Sequence, residues 1–340
     1  MSGPARADRA AEPSTTVPLV EALRGGDRRA LARAITLVES TKPAHRADAE
    51  AVLEALLPDS GRSIRIGITG VPGVGKSTFI EALGLSLIEQ GHRVAVLAID
   101  PTSQVSGGSI LGDKTRMQEL SRTPGAFIRP SPTGGTLGGV ARRTREAMLL
   151  CEAAGFDVTI VETVGVGQSE TAVAEMVDLF LLLLLPAGGD ELQGIKRGIM
   201  ELADLLVVNK ADGALESVAE RTVSDYQSAL HLLRPASPNW TPRVLKCSAL
   251  NAVGVDEVWA TVGAFRSALG KSGELDSRRA AQAQAWLWRE VGESLTAALK
   301  ADPEVAAQLP ELEGAVVAGR MAPSAAARRL LATFLGRGED

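Results

Sequence analysis

The sequence is short of the residues that several large functional classes depend on. It has only two cysteines, Cys151 and Cys247, far apart and outside any C-x-x-C or Cys/His cluster, so neither a disulfide framework nor a zinc site has a basis. Both are expected to be small buried hydrophobes. The three histidines, His45, His92 and His231, stand far from both cysteines, which argues against an insertion site for nickel or another thiolate- and imidazole-seeking metal. Positive charge is not in excess. The formal net charge is −5 and the Lys and Arg residues are scattered singly or in pairs, the opposite of the clustered cations that nucleic-acid binding requires. No apolar run is long enough to span a bilayer. The longest, Leu179 to Ala187, has Asp178 at its head and Asp190 just past its end, and reads as a strand buried on both faces. The first sixteen residues lack an apolar core, and Asp8 and Glu12 interrupt their positive charges, so neither a secretory nor a mitochondrial leader is expected and a cytoplasmic location follows.

What the chain does have is bulk and period. With 340 residues, 45% of them hydrophobic, it can bury one large domain and carry helical extensions besides. From Ser63 to about Gly270, short apolar runs alternate with longer amphipathic stretches, the pattern of β-α-β units around a mainly parallel sheet. The predicted strands are Ile64–Ile68, Val94–Ile99, Ala126–Arg129, Val158–Val161, Leu179–Leu185, Leu205–Val208 and Val244–Cys247. Helices such as Ser77–Gln90, Val140–Ala154, Leu215–Leu233 and Val255–Leu269 are long enough to be crossovers between them. The domain expectation is a disordered tail over 1–16, an N-terminal helical cap over 17–58, an α/β core over 59–270 and a C-terminal helical arm over 271–340. Within the arm, Ser277–Lys300 reads as one long helix with Leu287, Val291, Leu295 and Leu299 at four-residue spacing, flanked by Trp286 and Trp288. That apolar stripe either packs on its own domain or meets a second copy of the chain. Pro303 and Pro310 are expected to break the chain before a final helix near Pro323–Leu335.

The chemistry begins at Gly70-Val-Pro-Gly-Val-Gly-Lys76-Ser77, which fits G-x-x-x-x-G-K-[ST] and sits between a predicted strand and a predicted helix, as a P-loop must. Glycines there let successive N–H groups turn inward on phosphate oxygens, helped by the positive end of the helix dipole. Gly70, Gly73, Val74, Gly75, Lys76, Ser77 and Thr78 are the candidate phosphate contacts, with Lys76 reaching the β- and γ-phosphates and Ser77 ligating Mg2+. The fold class implied is a P-loop NTPase with a mainly parallel sheet flanked by helices, plus helical extensions at both ends. Base choice points to guanine. Asn209-Lys210-Ala211-Asp212 follows a strand and matches N-K-x-D; its aspartate can accept from both N1–H and the exocyclic amine of guanine, donors that adenine lacks in that geometry. Cys247-Ser248-Ala249, followed by Leu250, stands where a companion base-contacting loop belongs.

Glu162-Thr-Val-Gly165 follows the strand Val158–Val161, in the place where such proteins carry D-x-x-G. Gly165 is the expected γ-phosphate sensor, and Glu162 would act on Mg2+ through water or order the loop. Gln168 either orients the attacking water or is a solvated loop residue. Asp100, at a strand end before Pro101, and Asp113 are candidate metal acids, although Asp-Pro is also a common turn. The run Gly134–Gly139 is either a second anion loop or a turn beside the switch, and Gly188–Lys196 either a solvated loop or a set of charged groups at the nucleotide edge.

Taken together, Gly70–Ser77, Leu97-Ala-Ile-Asp-Pro101, Gly112-Asp-Lys-Thr-Arg-Met117, Glu162–Glu170, Gly189–Lys196 and Asn209–Asp212 resemble the GTPases associated with methylmalonyl-CoA mutase, known in older usage as arginine/ornithine transport kinases. The resemblance covers the whole chain. Glu162 in place of the usual aspartate and the Gly189–Lys196 segment are particular to that group. The resemblance implies a homodimer joined through its C-terminal helices. It also implies a chaperone of an adenosylcobalamin-dependent acyl-CoA mutase, in which GTP binding and slow hydrolysis gate cofactor loading and protect or rescue the mutase. It makes Gly189–Lys196 a third switch, carried by Asp190, Glu191, Gln193 and Lys196, with Lys196 among the catalytic candidates beside Lys76, Glu162 and Gln168. A different class, a kinase linked to amino-acid transport, would need an acceptor site and a catalytic base, and the sequence presents neither.

Overall fold

The computed structural model describes residues 16–99, 117–130, 137–163, 169–186, 197–233 and 235–336. The chain divides into two compact units, Met1–Arg278 and Arg279–Asp340. The first is built on seven strands: β1 (Ile64–Gly70), β2 (Val94–Ile99), β3 (Ala126–Pro130), β4 (Val158–Thr163), β5 (Leu179–Leu184), β6 (Leu205–Val208) and β7 (Arg243–Lys246). They form one sheet in the order β3-β2-β4-β1-β5-β6-β7, and every pairing is parallel. The five inner strands are buried on both faces, which is why they read as continuous Val/Ile/Leu runs instead of alternating patterns. This is the P-loop NTPase fold. Because all strands point the same way, their carboxyl ends share one edge of the sheet, where the chain leaves β1, β4, β6 and β7 for the motif-bearing loops.

Helices cover both faces. In chain order they are α1 (Thr16–Arg24), α2 (Arg28–Val38), α3 (Pro43–Leu56), α4 (Lys76–Glu89), α5 (Gln118–Arg122), α6 (Leu137–Ala153), α7 (Ser169–Ala174), α8 (Arg197–Leu202), α9 (Glu216–His231), α10 (Val255–Lys271), α11 (Glu274–Ala301), α12 (Pro303–Val317) and α13 (Pro323–Phe334). Phe79, Ile80, Leu83 and Leu87 of α4 pack with Ile64, Ile66 and Ile68 of β1 and with Val258, Val262 and Phe265 of α10. On the opposite face, Gly67 leaves room for α7: a Cβ there would lie 2.8 Å from Val173 Cγ1 and 3.0 Å from Val177 Cγ2. The helices α1 to α3 pack together and on α6. The Arg129–Glu39 ion pair and the hydrogen bond from Arg24 Nε to Asp59 Oδ2 at 2.8 Å help tie them down.

One buried and one partly buried ion pair brace the amino-terminal edge of the sheet. Arg65 of β1 donates to both oxygens of Glu152 on α6, at 2.8 and 2.9 Å. Ser63 Oγ and the Gly61 N–H complete that carboxylate's shell at 2.6 Å each. Burial pushes the Glu152 carboxyl up, but the bonds and charge of Arg65 with the two smaller donors more than reverse this, leaving it below its ordinary value. At the start of α11, Arg278 donates to Asp178 O at 2.6 Å and to Asp204 Oδ2 at 3.2 Å. Asp204 also takes the Phe180 N–H at 2.9 Å.

The second unit departs from one sequence expectation. Pro303 does separate two helices, α11 ending at Ala301 and α12 opening at Pro303, but Pro310 lies inside α12 and breaks nothing. Asp302 caps the helix, accepting from Glu304 N at 2.9 Å and Val305 N at 3.0 Å, and proline at the first helical position costs nothing because its missing N–H would have no partner there. Pro310 removes only the donor to Ala306, which is exposed, so water can serve that carbonyl. The long helix α11 is continuous through the tryptophan pair. Among the described residues no helix is long and apolar enough to cross a membrane.

Replacing Glu152 with alanine should strand a buried guanidinium and two smaller donors, destabilising the protein by about 3–5 kcal/mol in urea unfolding at neutral pH. Because the folded carboxyl titrates below 4.5, its stabilisation is complete above that value and is lost as the pH falls toward the folded value. The gap between wild type and Glu152→Ala should therefore narrow only on acidification below pH 4.5.

Candidate functional site

The carboxyl edge of the sheet gathers two groups of candidate residues. At the first, β1 ends on Gly70 with φ of +153°, and a Cβ there would lie 2.6 Å from Leu183 O of the neighbouring strand, so only glycine lets the chain turn. The loop runs through the exposed Val71, Pro72 and Gly73 to Val74, which is fully buried and anchors it. Gly75 is left-handed, with φ of +94°, and gives way to α4 at Lys76. The N–H groups from this turn are the orphan donors of a helix start, which suit an anion. Lys76 Nζ donates to Gly70 O at 2.7 Å and, more weakly, to Val71 O at 3.4 Å, holding the ammonium folded back over the loop. Ser77 Oγ donates to Glu162 Oε1 at 3.3 Å, bringing the hydroxyl at the helix start against the carboxylate near the end of β4. Thr78 is exposed. Glu162 is 5% exposed.

The second group forms where β6 and β7 end. Asn209 is buried, and its amide joins three loops: Nδ2 donates to Val74 O at 2.9 Å, and Oδ1 accepts the Ala249 N–H at 3.0 Å and the Cys247 thiol at 3.4 Å. Those partners settle which way the amide faces, a donor toward a carbonyl and an acceptor toward an N–H. Burial pushes the Cys247 thiol up to about 12, so it stays protonated and able to donate. Lys210 is left-handed, with φ of +60°, which turns the chain toward Asp212 while Ala211 N bonds Cys247 O at 2.9 Å. Ser248 Oγ donates to Asp212 Oδ2 and accepts the Asn251 N–H at 3.3 Å. A bridge of Ser248 with Val253 closes this loop and leaves Leu250 79% exposed at its tip. One carboxylate oxygen of Asp212 is thus held by a neighbour, which orients the group and leaves the other oxygen to face a ligand.

Lys76, Ser77 and Glu162 therefore stand together at one end, and Asn209, Asp212, Ser248 and Ala249 at the other. The bond from Asn209 to Val74 connects them. Asp100, Asp113, Gly165, Gln168, Asp190, Glu191, Gln193 and Lys196 lie outside the described residues, as does the Gly134-Gly135 pair. Among the described residues no three His, Cys, Asp or Glu side chains form a metal cluster. The sequence reading did not foresee the thiol donor of Cys247, since a lone buried cysteine carries no pattern. It also missed a hydrogen bond at 2.8 Å between Thr163 and Thr69, a pair separated by most of two β-α-β units.

Asn209→Ala removes the hinge pin of both groups. It should weaken binding of guanosine di- and triphosphate alike by roughly 30- to 100-fold, the equivalent of two to three buried hydrogen bonds, in a fluorescence titration.

Comparison with known proteins bears on the same site. Residues 31–304 match the model of the family described as methylmalonyl Co-A mutase-associated GTPase MeaB. The GTPase ArgK of Escherichia coli is 53% identical over 83% of this chain and 85% of its own. The mouse methylmalonic aciduria type A homolog, a mitochondrial protein, is 51% identical over 92% of this chain and 78% of its own. A crystal structure of an LAO/AO transport system kinase superimposes with a TM-score of 0.76 at 42% identity, covering 96% of this chain and 99% of that one. The chain is a member of the MeaB family of methylmalonyl-CoA mutase-associated GTPases.

Proposed function

We propose that this GTPase is a chaperone that gates adenosylcobalamin loading and protects or reactivates methylmalonyl-CoA mutase or a related acyl-CoA mutase. The observation that carries the reading is the family match across residues 31–304, joined to a base-binding loop built around Asp212. Asp212 accepts the two guanine donors, each charge-assisted bond worth roughly 1.5–3 kcal/mol. Ser248 and Asn209 hold it in place. The N–H groups of Gly73 to Thr78 cradle the phosphates, and Lys76 exchanges its carbonyl partners for β- and γ-phosphate oxygens.

Mg2+ prefers hard oxygen donors, and the hydroxyl of Ser77 beside the carboxylate of Glu162 is a donor set of that kind. Ser77 and Glu162 would hold it, with Asp100 and Asp113 as further acids from outside the described residues. When bound, Mg2+ neutralises charge on the transferring phosphoryl group. Gly165 senses the γ-phosphate, Gln168 orients water, and Asp190, Glu191, Gln193 and Lys196 form the segment that answers to the mutase, with Lys196 supporting hydrolysis. Turnover is slow alone and rises with the partner.

The reading includes a homodimer made through the C-terminal arm. Leu287, Trp288 and Leu295 of α11 are 60%, 67% and 57% exposed, an apolar surface that a second copy would cover. Trp288→Asp with Leu295→Asp should convert the dimer to a monomer in sedimentation velocity while leaving GDP affinity within about two-fold.

Phosphate release from GTP and ATP, each with and without the mutase of the same cell, tests the whole. GTP-selective release that rises on adding mutase is the expected result. GTP selection without stimulation would remove the mutase from the reading. A preference for ATP, with label appearing on a protein acceptor, would instead favour a kinase linked to amino-acid transport, the activity named for the LAO/AO relative. Asp212→Ala should cut the preference for GTP over ATP by at least about 100-fold in the same assay.

A further inference from the structure

The strands β1 and β4 run in register as far as Ile68 opposite Glu162. One residue further, Thr69 and Thr163 lie side by side, 1% and 0% exposed. Thr163 Oγ1 donates to Thr69 Oγ1 at 2.8 Å, with a second, longer approach to Ile68 O at 3.5 Å. Directly after Thr69, β1 enters the glycine turn at Gly70, and Thr163 is the last residue of β4. The hydroxyl bond closes the final rung.

Alternation along the strands puts this pair on the far side of the sheet from the nucleotide. Ile66, Ile68 and Ile160 pack with Phe79, Ile80 and Leu83 of α4, and Glu162 meets Ser77 on that same face. Gly67 faces Val173 of α7 and Val177 just beyond it, and Thr69 and Thr163 share its side. Neither threonine can touch a phosphate or a metal ion. Nor does packing alone call for them: valine has the same shape and would avoid the cost of burying two hydroxyls. What the hydroxyls add is direction. One bond between two β-branched side chains fixes both χ1 angles and the separation of the strand ends.

We propose that Thr69 and Thr163 are positioning residues that set the distance between Ser77 on one strand's exit and Glu162 on the other, and so the tightness of the Mg2+ site. The inference rests on the reading of Ser77 and Glu162 as the residues that hold Mg2+. Catalytic geometry of this kind is sensitive to shifts well under 1 Å.

The test is the release rate of fluorescently labelled GDP, measured in Mg2+ and in EDTA, with the melting temperature followed in parallel. In Thr163→Val the slowing of release by Mg2+ should shrink at least about five-fold while the EDTA rate stays within about two-fold of wild type. Thr163→Ser, which keeps the hydroxyl, should retain most of the Mg2+ effect. The double variant Thr69→Val/Thr163→Val should regain the melting temperature, having no stranded hydroxyl, yet keep the weakened response to Mg2+. A Thr163→Val protein that responds to Mg2+ as wild type does, or a double variant that regains the response together with its stability, would overturn the proposal. Ser77→Ala separates the two layers. If it loses the Mg2+ effect while Thr163→Val keeps it, the positioning role falls and the metal reading stands; if Ser77→Ala keeps the effect, the metal reading falls and takes the positioning role with it.

Discussion

The side-chain amide of Asn209 is the contact on which the carboxyl edge of the sheet depends. All seven strands end at that edge, four of them at the candidate loops, and a parallel sheet fixes where these loops start but not their courses. Asn209 fixes three of them at once through Val74 O, the Ala249 N–H and the Cys247 thiol. The reach to Val74 is possible only because Gly75 has no side chain, since a Cβ there would sit 2.8 Å from Asn209 Nδ2. Gly75 is thus the gap through which the loop after β6 is bolted to the glycine turn after β1. A substitution at either residue disturbs both halves of the site.

The opposite edge of the sheet is held by charge. Arg65–Glu152 is a deeply buried pair and Arg278–Asp204 a partly buried one, and such pairs contribute little net stability compared with apolar residues of the same size. Their value is in direction, because each ties a strand to one particular neighbour. Glu152 joins β1 to α6, and Asp204 joins the start of β6 both to Phe180 at the start of β5 and to Arg278 at the head of the long helix. Burial holds the Asp204 carboxyl above its ordinary value, with Arg278 offsetting only part of that, so this second pair is the less fully compensated of the two. The sheet is therefore pinned at one edge by ion pairs and at the other by an amide, with an aliphatic core between.

How much of this was legible in the sequence follows from the range of each interaction. The strands were legible because burial on both faces forces unbroken apolar runs; hydrophobicity stops before the hydrogen bonding does at Thr69-Gly70 and Glu162-Thr163, outlasts it by Leu185 after β5, and leaves β7 displaced by one residue. The glycine turn and the Asn209–Asp212 loop were legible because close backbone approach and base recognition permit few residue types. Pro310 was misread because helix propensity is local, whereas an exposed carbonyl at Ala306 makes the proline tolerable. The Thr69–Thr163 and Arg65–Glu152 contacts were not legible. Both join residues more than eighty positions apart, and a threonine in a strand or an arginine near its start is unremarkable until the register is known.

The separation of the two groups also limits what each can do in a nucleotide-driven switch. A ligand shifts a conformational equilibrium only through the difference in its affinity for the two states. Guanine is identical in GTP and GDP, so in the proposed reading Asp212, Ser248 and Asn209 supply affinity and base choice without favouring either nucleotide state. On the same reading, discrimination between the two arises where the γ-phosphate differs, at the Lys76, Ser77 and Glu162 end. That end is also where side chains are held by bonds they can give up: Lys76 rests on two carbonyls, and Ser77 meets Glu162 at 3.3 Å, longer than a strong hydroxyl–carboxylate bond. The other end, by contrast, is held by the buried Asn209 amide through three partners at once. Rigid recognition at one end and exchangeable partners at the other let one nucleotide be gripped throughout a cycle while its terminal phosphate alone decides the state.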